Sequence, residues 1–225
     1  MKLKSFGCSF IFGTDLHDDG RNLPMATPSN FTWPALLAKH HGFDYHCYAR
    51  GGAGNLQILE KLLIHLTDTE PAVYVIGWSW IDRFDYVIED STKQCELGKS
   101  IKTWKTIMPV DTDSLAETYY KHLHSEYRDK LTTLIYVKTA INALKASNNK
   151  FIMTYMDNLL FDQRWHMTPA VNELQRYCEP YMTRFDNRSF LEYAKEKGFE
   201  ISQTQHPLEA AHSSAFELIN SYNLV

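Results

Sequence analysis

Between Pro71 and Gly77 the chain reads Ala72-Val73-Tyr74-Val75-Ile76, an almost unbroken apolar run rich in β-formers. A strand without polar alternation is buried on both faces, so the sheet that holds it needs helices above and below. The flanking pattern offers them. Lys2 to Gly7 alternates as a short first strand that runs into the glycines Gly7 and Gly13; 43–48 and 151–155 are further strand candidates, and 199–202 a shorter one. Helices are predicted over 33–41, with Thr32 as cap and Pro34 in the first turn, over 56–66, through most of 113–148, over 189–197 closed by Gly198, and over 210–222. Strands alternating with helices predict an α/β fold: a three-layer α/β/α sandwich around a mostly parallel sheet. The 225 residues fit one domain, 1–225, without internal repeats. Segments 85–112 and 157–188 lack a period and are expected to rim its pocket.

Composition narrows the function classes. With 44% hydrophobic and 22% charged residues the chain can bury a core, which excludes disorder and collagen-like structure. No apolar run reaches the roughly 18 residues of a membrane span, so no membrane partner is expected. A net charge of -4 argues against a nucleic-acid partner, whose phosphates call for a basic face. Cys8, Cys47, Cys95 and Cys178 are far apart and form no zinc-type cluster; reduced thiols are expected. Residues 6–12 are too short and too interrupted for a secretory leader, and no hydrophobic segment precedes Gly7-Cys8 as a lipoprotein site requires. A cytoplasmic protein is expected, or one carried in an assembly built there.

In sheets of this kind functional groups gather on loops beyond the carboxyl ends of the strands. Those loops hold Gly7-Cys8-Ser9, Gly51 to Asn55, Gly77 to Arg83, Tyr155 to Asn158 and the segment before His206. Ser9, just past the first strand, can present a hydroxyl above the sheet beside free backbone N–H groups. Of ten histidines, His206 sits in a loop, precedes Pro207 and directly precedes the last helix. Spacing alone also allows a bland reading, with Ser9 capping a turn and His206 exposed.

The order of short blocks adds to this. Gly7-Cys8-Ser9-Phe10, Trp33-Pro34-Ala35-Leu36-Leu37, the turn at Gly52, the strand end Ile76-Gly77-Trp78-Ser79 and late His206-Pro207 together resemble the SGNH hydrolases, also called the GDSL esterase and lipase family. The resemblance runs from end to end of the chain. It implies a flavodoxin-like three-layer sandwich, Ser9 as nucleophile, His206 as base, and an oxyanion hole from Ser9, Gly52 (or Gly54, if the loop is shifted) and Ser79. No metal or other cofactor is implied. Cys8 stands where the family usually has aspartate.

Two further departures bear on activity. The third-block asparagine is Ser79, whose hydroxyl reaches less far than a carboxamide; losing one oxyanion donor costs roughly 100- to 1000-fold. At the acid position three before the base stands neutral Gln203. The chain is therefore expected to work as a Ser9–His206 dyad. Asp82, Asp85 and Asp157 are candidate replacement acids, alternatively loop residues or helix caps, and His212 is a candidate replacement base.

Asn55, Trp78, Trp80 and Arg83 are candidate substrate contacts, Arg83 as a clamp for an anion or else as a partner for Asp82. Trp78 and Trp80, with Tyr155, Phe161 and Trp165, would suit a sugar-stacking platform or ordinary packing. His40-His41 reads as surface, and Gly51 to Asn55 lacks the lysine of a P-loop. The expected function is serine esterase action on an O-acyl ester, such as an acetylated carbohydrate or a small acyl ester. The alternative is a weakened hydrolase-like carbohydrate-binding or assembly protein, such as a phage structural component carried on the virion.

Overall fold

The computed structural model describes residues 1–20, 27–68, 70–94 and 100–223. Four parallel strands form its sheet: β1 (Lys2–Gly7), β2 (Asp44–Cys47), β3 (Ala72–Trp78) and β6 (Lys150–Tyr155), in the order β2-β1-β3-β6. Every residue of β3 is buried, as its unbroken apolar sequence requires. On one face lie α2 (Trp33–His40) and α8 (Glu209–Ser221), packed on each other; on the other, α3 (Asn55–His65) packs on α5 (Glu126–Ala146), which packs on α6 (Pro169–Cys178). The three-layer sandwich is thus the observed architecture. A short α7 (Phe190–Glu196) is closed at its start by a capping box, Ser189 with Glu192.

Some expected elements differ. The 113–148 stretch is two helices, α4 (Ser114–His122) and α5, each started by a side-chain cap, Asp113 and Ser125. Around Ile201 there is no strand, only a single bridge to Pro207. The aperiodic 85–112 stretch contributes an antiparallel ribbon, β4 (Phe84–Gln94) with β5 (Ser100–Ile107), which alternation did not reveal. Cys95 lies outside the described residues. Among those described, Cys8, Cys47 and Cys178 are free thiols, and no helix is long and apolar enough to cross a membrane.

Two small residues bring α1 (Ser9–Phe12) down onto the sheet edge. Gly7 of β1 and Gly77 of β3 are register partners, and Ile11 of α1 lies over both. A Cβ at Gly7 would stand 2.5 Å from Ile11 Cγ1, and one at Gly77 2.6 Å from it. Only glycine at both positions allows that approach. The chain order β2-β1-β3 makes the carboxyl ends of β1 and β3 the topological switch point, where such sheets bind ligands.

Candidate active site

Ser9 is the first residue of α1, two residues beyond β1, and its carbonyl accepts the N–H groups of Gly13 (2.8 Å) and Thr14 (3.0 Å). That single turn points the chain back, and Asp15 follows in the left-handed region at φ 72°, with its N–H donating to Asp19 Oδ2 at 2.7 Å. Aspartate tolerates this conformation better than most side chains. Nucleophile candidate and carboxylate therefore leave the same short, buried segment.

His206 comes from the other end of the chain. Its loop is tied to itself: Ser202 N–H donates to the His206 carbonyl (2.8 Å), Gln205 N–H to the Ser202 carbonyl (3.0 Å), and His206 N–H to Ser202 Oγ (3.1 Å). Phe10 packs on the ring, centroid to centroid 5.1 Å. In this setting His206 Nε2 lies 2.8 Å from Ser9 Oγ, and Nδ1 lies 2.8 Å from Asp15 Oδ2. The same carboxylate oxygen accepts the hydroxyls of Ser202 (2.7 Å) and Thr204, and Thr204 Oγ1 also stands 2.8 Å from Nδ1. A carboxylate at Nδ1 holds the ring proton there, leaving the Nε2 lone pair to the serine hydroxyl. The His206 and Asp15 side chains are 13% and 12% exposed, and Ser9 is 6% exposed, so water screens this line of bonds only weakly.

The sequence points to the position just before His206, or to Asp82, Asp85 or Asp157, for a carboxylate beside the ring. Gln203 is exposed, and the carboxylate at Nδ1 is that of Asp15, six residues after Ser9. The one available signal was Gly13 ending a turn just ahead of a carboxylate. The other acids considered have other duties. Asp85 caps α3: it accepts Gly54 N–H and Gln57 N–H, each at 3.0 Å, and the Thr106 hydroxyl at 2.7 Å. Burial pushes its pKa up, and those bonds oppose the rise. Asp157 accepts Ile81 N–H and Leu159 N–H, both at 3.0 Å. Asp82 lines a separate small hollow beside Asp129 and Asp157. His212 is buried in the core, where its Nδ1 accepts Trp33 N–H at 3.2 Å; burial first, and then His206, drives its pKa down to about 3. It is not placed at Ser9.

Ser9 and His206 open on a cavity of about 740 Å³ whose lining includes Gly52, Trp80 and Arg83. Gly52, at φ 78°, presents an N–H with no protein acceptor among the described residues, as does Ser9. Gly54 has its N–H committed to Asp85.

Ser79 requires a correction. It is fully buried and does not line the cavity, because Asn55 clamps its backbone: Oδ1 accepts Ser79 N–H (2.7 Å) and Nδ2 donates to the Ser79 carbonyl (3.2 Å). Its hydroxyl has no partner among the described residues. Asn55 is thereby a structural clamp rather than a substrate contact, and Trp78 is a core side chain. The stacking platform is not assembled either: Tyr155 and Phe161 pack on each other in the core, and Trp165 Nε1 donates to Glu126. Only Trp80 of that set lines the cavity. Met108 and Val110 bring the 85–112 stretch to its rim, whereas 157–188 contributes none of its lining, and residues from Gln163 to Glu179 line a separate hollow of about 670 Å³.

The layered sheet, at whose carboxyl edge Ser9, His206 and Asp15 meet, is a three-layer α/β/α fold that solved structures of low sequence identity share. Solved structures with this fold include a member of the lipolytic G-D-S-L family from Veillonella parvula DSM 2008, at 13% identity and TM-score 0.53, covering 98% of this chain and 97% of that one. The psychrotrophic esterase EstA from Pseudoalteromonas sp. matches at 11% identity and TM-score 0.51, over 99% and 98% of the two chains. An active-site mutant of a family two carbohydrate esterase from Clostridium thermocellum matches at 12% identity and TM-score 0.51; all of this chain covers 64% of that one. No protein-family model matches the sequence, and no curated protein matches it.

Proposed function

We propose that the protein is a serine ester hydrolase acting on an O-acyl ester, with Ser9 as nucleophile, His206 as base and Asp15 as the group that orients and charges His206. The observation that carries this reading is the continuous line from Ser9 Oγ through His206 to Asp15, opening on a cavity large enough for a small ester. His206 Nε2 takes the hydroxyl proton as Ser9 Oγ attacks the carbonyl carbon. The oxyanion that forms is held by the Ser9 and Gly52 N–H groups. Collapse expels the alcohol, which leaves with the proton returned by His206. A water molecule, deprotonated by the same ring, then attacks the acyl-Ser9 and releases the carboxylic acid and the free hydroxyl.

With Ser79 turned away, two backbone donors remain for the oxyanion where three were expected, which suits modest rates. Trp80 at the rim gives a carbohydrate ester a ring face to pack on, and the fold is shared with proteins described as esterases and carbohydrate esterases. A fluorophosphonate probe should label Ser9, as read by peptide mapping. Ser9→Ala and His206→Ala should abolish both labelling and p-nitrophenyl acetate hydrolysis. If the native protein is neither labelled nor turns over ester above buffer, the fold serves as a binding or assembly component instead.

A further inference from the structure

The cavity that holds Ser9 also holds three fixed positive charges. Arg50, just past β2, Lys61, on α3, and Arg83, just before β4, all line it, and no aspartate or glutamate is among its lining residues that the structure describes. This runs against the net charge of the chain, which is -4.

The bonding of the arginines is more specific. Arg128, Arg164, Arg176, Arg184 and Arg188 each meet a carboxylate within ion-pair distance. The two remaining described arginines, Arg50 and Arg83, form no ion pair among the described residues, and both line this cavity. They are held by neutral acceptors instead. Arg50 Nη1 donates to the Trp104 carbonyl (3.0 Å) and Gln57 Oε1 (3.3 Å), and Arg83 Nη1 to the Ala53 carbonyl (3.1 Å). Lys61 Nζ likewise donates to a carbonyl, that of Tyr48 at 2.9 Å. Burial, and next the like charge of Arg50, hold the Lys61 pKa below its ordinary value. Neutral acceptors fix the position of a cation without cancelling its charge. The groups are thus anchored on three separate segments while their charge stays available to a ligand.

We propose that the cavity takes an ester bearing an anionic group, a carboxylate or a phosphate, which Arg50, Lys61 and Arg83 hold while the acyl group lies at Ser9. The proposal rests on the hydrolytic reading above for the position of the acyl group. The apolar wall of Phe12, Trp80, Met108 and Val110 suits the carbon skeleton between the two ends.

Binding and turnover test the two readings separately. Full-length Ser9→Ala protein, which cannot turn over, is titrated calorimetrically with 4-acetoxybenzoate, 4-acetoxyphenyl phosphate and the neutral methyl 4-acetoxybenzoate. At least one anion should bind about tenfold or more tighter than the methyl ester, and the tighter of the two identifies the anionic group. The ratio of anionic to neutral affinity should shrink in Ser9→Ala protein carrying Arg50→Gln or Arg83→Gln as well. Should either double variant fail to fold, raising the salt to about 0.5 M on the parent Ser9→Ala protein must shrink the ratio. Anions that bind no tighter than the methyl ester, or a ratio indifferent to both salt and charge, would overturn the proposal. Native protein is assayed in parallel for cleavage of the same three esters. If it binds the anions preferentially yet cleaves none, the hydrolytic reading falls and the anion site stands. If it cleaves the methyl ester without any anion preference, the reverse holds.

Discussion

Asp15 offers the most direct test of how the site works. Its Oδ2 lies 2.8 Å from His206 Nδ1, so when Ser9 gives up its proton an imidazolium faces a carboxylate with charge centres about 4 Å apart. At an effective dielectric of about 20 that attraction is roughly 4 kcal/mol, equivalent to about 1000-fold in rate. Both side chains are nearly nine-tenths buried, so only a modest discount for solvent applies. Asp15→Ala should therefore lower kcat for p-nitrophenyl acetate about 100- to 1000-fold with KM little changed. Asp15→Asn should be worse, near 10,000-fold, because its amide can donate to Nδ1 and push the ring proton onto Nε2, where it blocks proton transfer from Ser9. The ordering has a structural reason. In the alanine variant Thr204 Oγ1, 2.8 Å from Nδ1, is left to accept the ring proton and keep the useful tautomer. Adding Thr204→Val to Asp15→Ala should remove that help. Thermal melts alongside the kinetics separate catalysis from folding, since Asp15 also anchors Ser202 and Thr204. An Asp15→Asn enzyme within tenfold of native, beside an inactive Ser9→Ala, would refute the reasoning.

Ser79→Ala should leave kcat within about threefold of native, because the hydroxyl is buried away from the cavity; a loss of 100-fold, the usual cost of an oxyanion donor, would restore Ser79 to the site. Gly7→Ala, whose Cβ would stand 2.5 Å from Ile11 Cγ1, should cost about 1–3 kcal/mol in urea unfolding and lower activity by shifting Ser9. Asp85→Ala removes the acceptor of two N–H groups and one hydroxyl at the start of α3, and a loss of about 2–4 kcal/mol is expected by the same measurement. His212 gives a pH signature. Its pKa is about 3 folded against 6.5 as the ordinary value, so between those limits the unfolded chain binds the extra proton. Stability contributed by the neutral ring is fully present above about pH 6.5 and is lost as pH falls towards 3, by up to roughly 1.4 kcal/mol per pH unit. The pH dependence of unfolding should flatten in this window for His212→Gln, and an unchanged slope would count against the assignment.

Much of the fold was legible because its signals are local. The unbroken 72–76 run could only be a central strand, Pro34 could only sit in a first turn, and Gly198 marks a helix end in the chain itself. That Ser9, Gly52 and His206 lie at one cavity has a related reason: each sits where a strand or loop ends, and the alternation locates those ends. The carboxylate beside His206 was not legible, because its place depends on a tertiary contact. Asp15 is 191 residues from His206 and lies in a polar stretch whose composition says only that it is a loop. Ser79 failed for the opposite reason. Its position just after β3 follows from the strand pattern, but its backbone is clamped by Asn55 across the loop, a pairing that no periodicity encodes. The aromatic set misled because rings suit a core as readily as a rim, and burial placed all but Trp80 and Trp165 inside.

On the proposed reading, an acid in the early loop rather than the late one has a mechanical consequence. When acid and base share a loop, any displacement of that loop carries both, and the nucleophile is left behind. Here Ser9 and Asp15 share one turn, fixed to β1 through Gly7 and Ile11, and the imidazole is caught between them from the far end of the chain. Two hydrogen bonds from opposite ring nitrogens to one rigid segment define the plane of the ring as well as its position. Gln203 then needs no charge, since Ser202 and Thr204 on either side of it hold the loop to Asp15 by neutral hydroxyls. On this geometry Gln203→Asp should not improve turnover, because the new carboxylate would stand exposed and apart from a ring nitrogen already taken. A gain of tenfold or more in kcat from that substitution would mean that the late loop, rather than Asp15, limits the base.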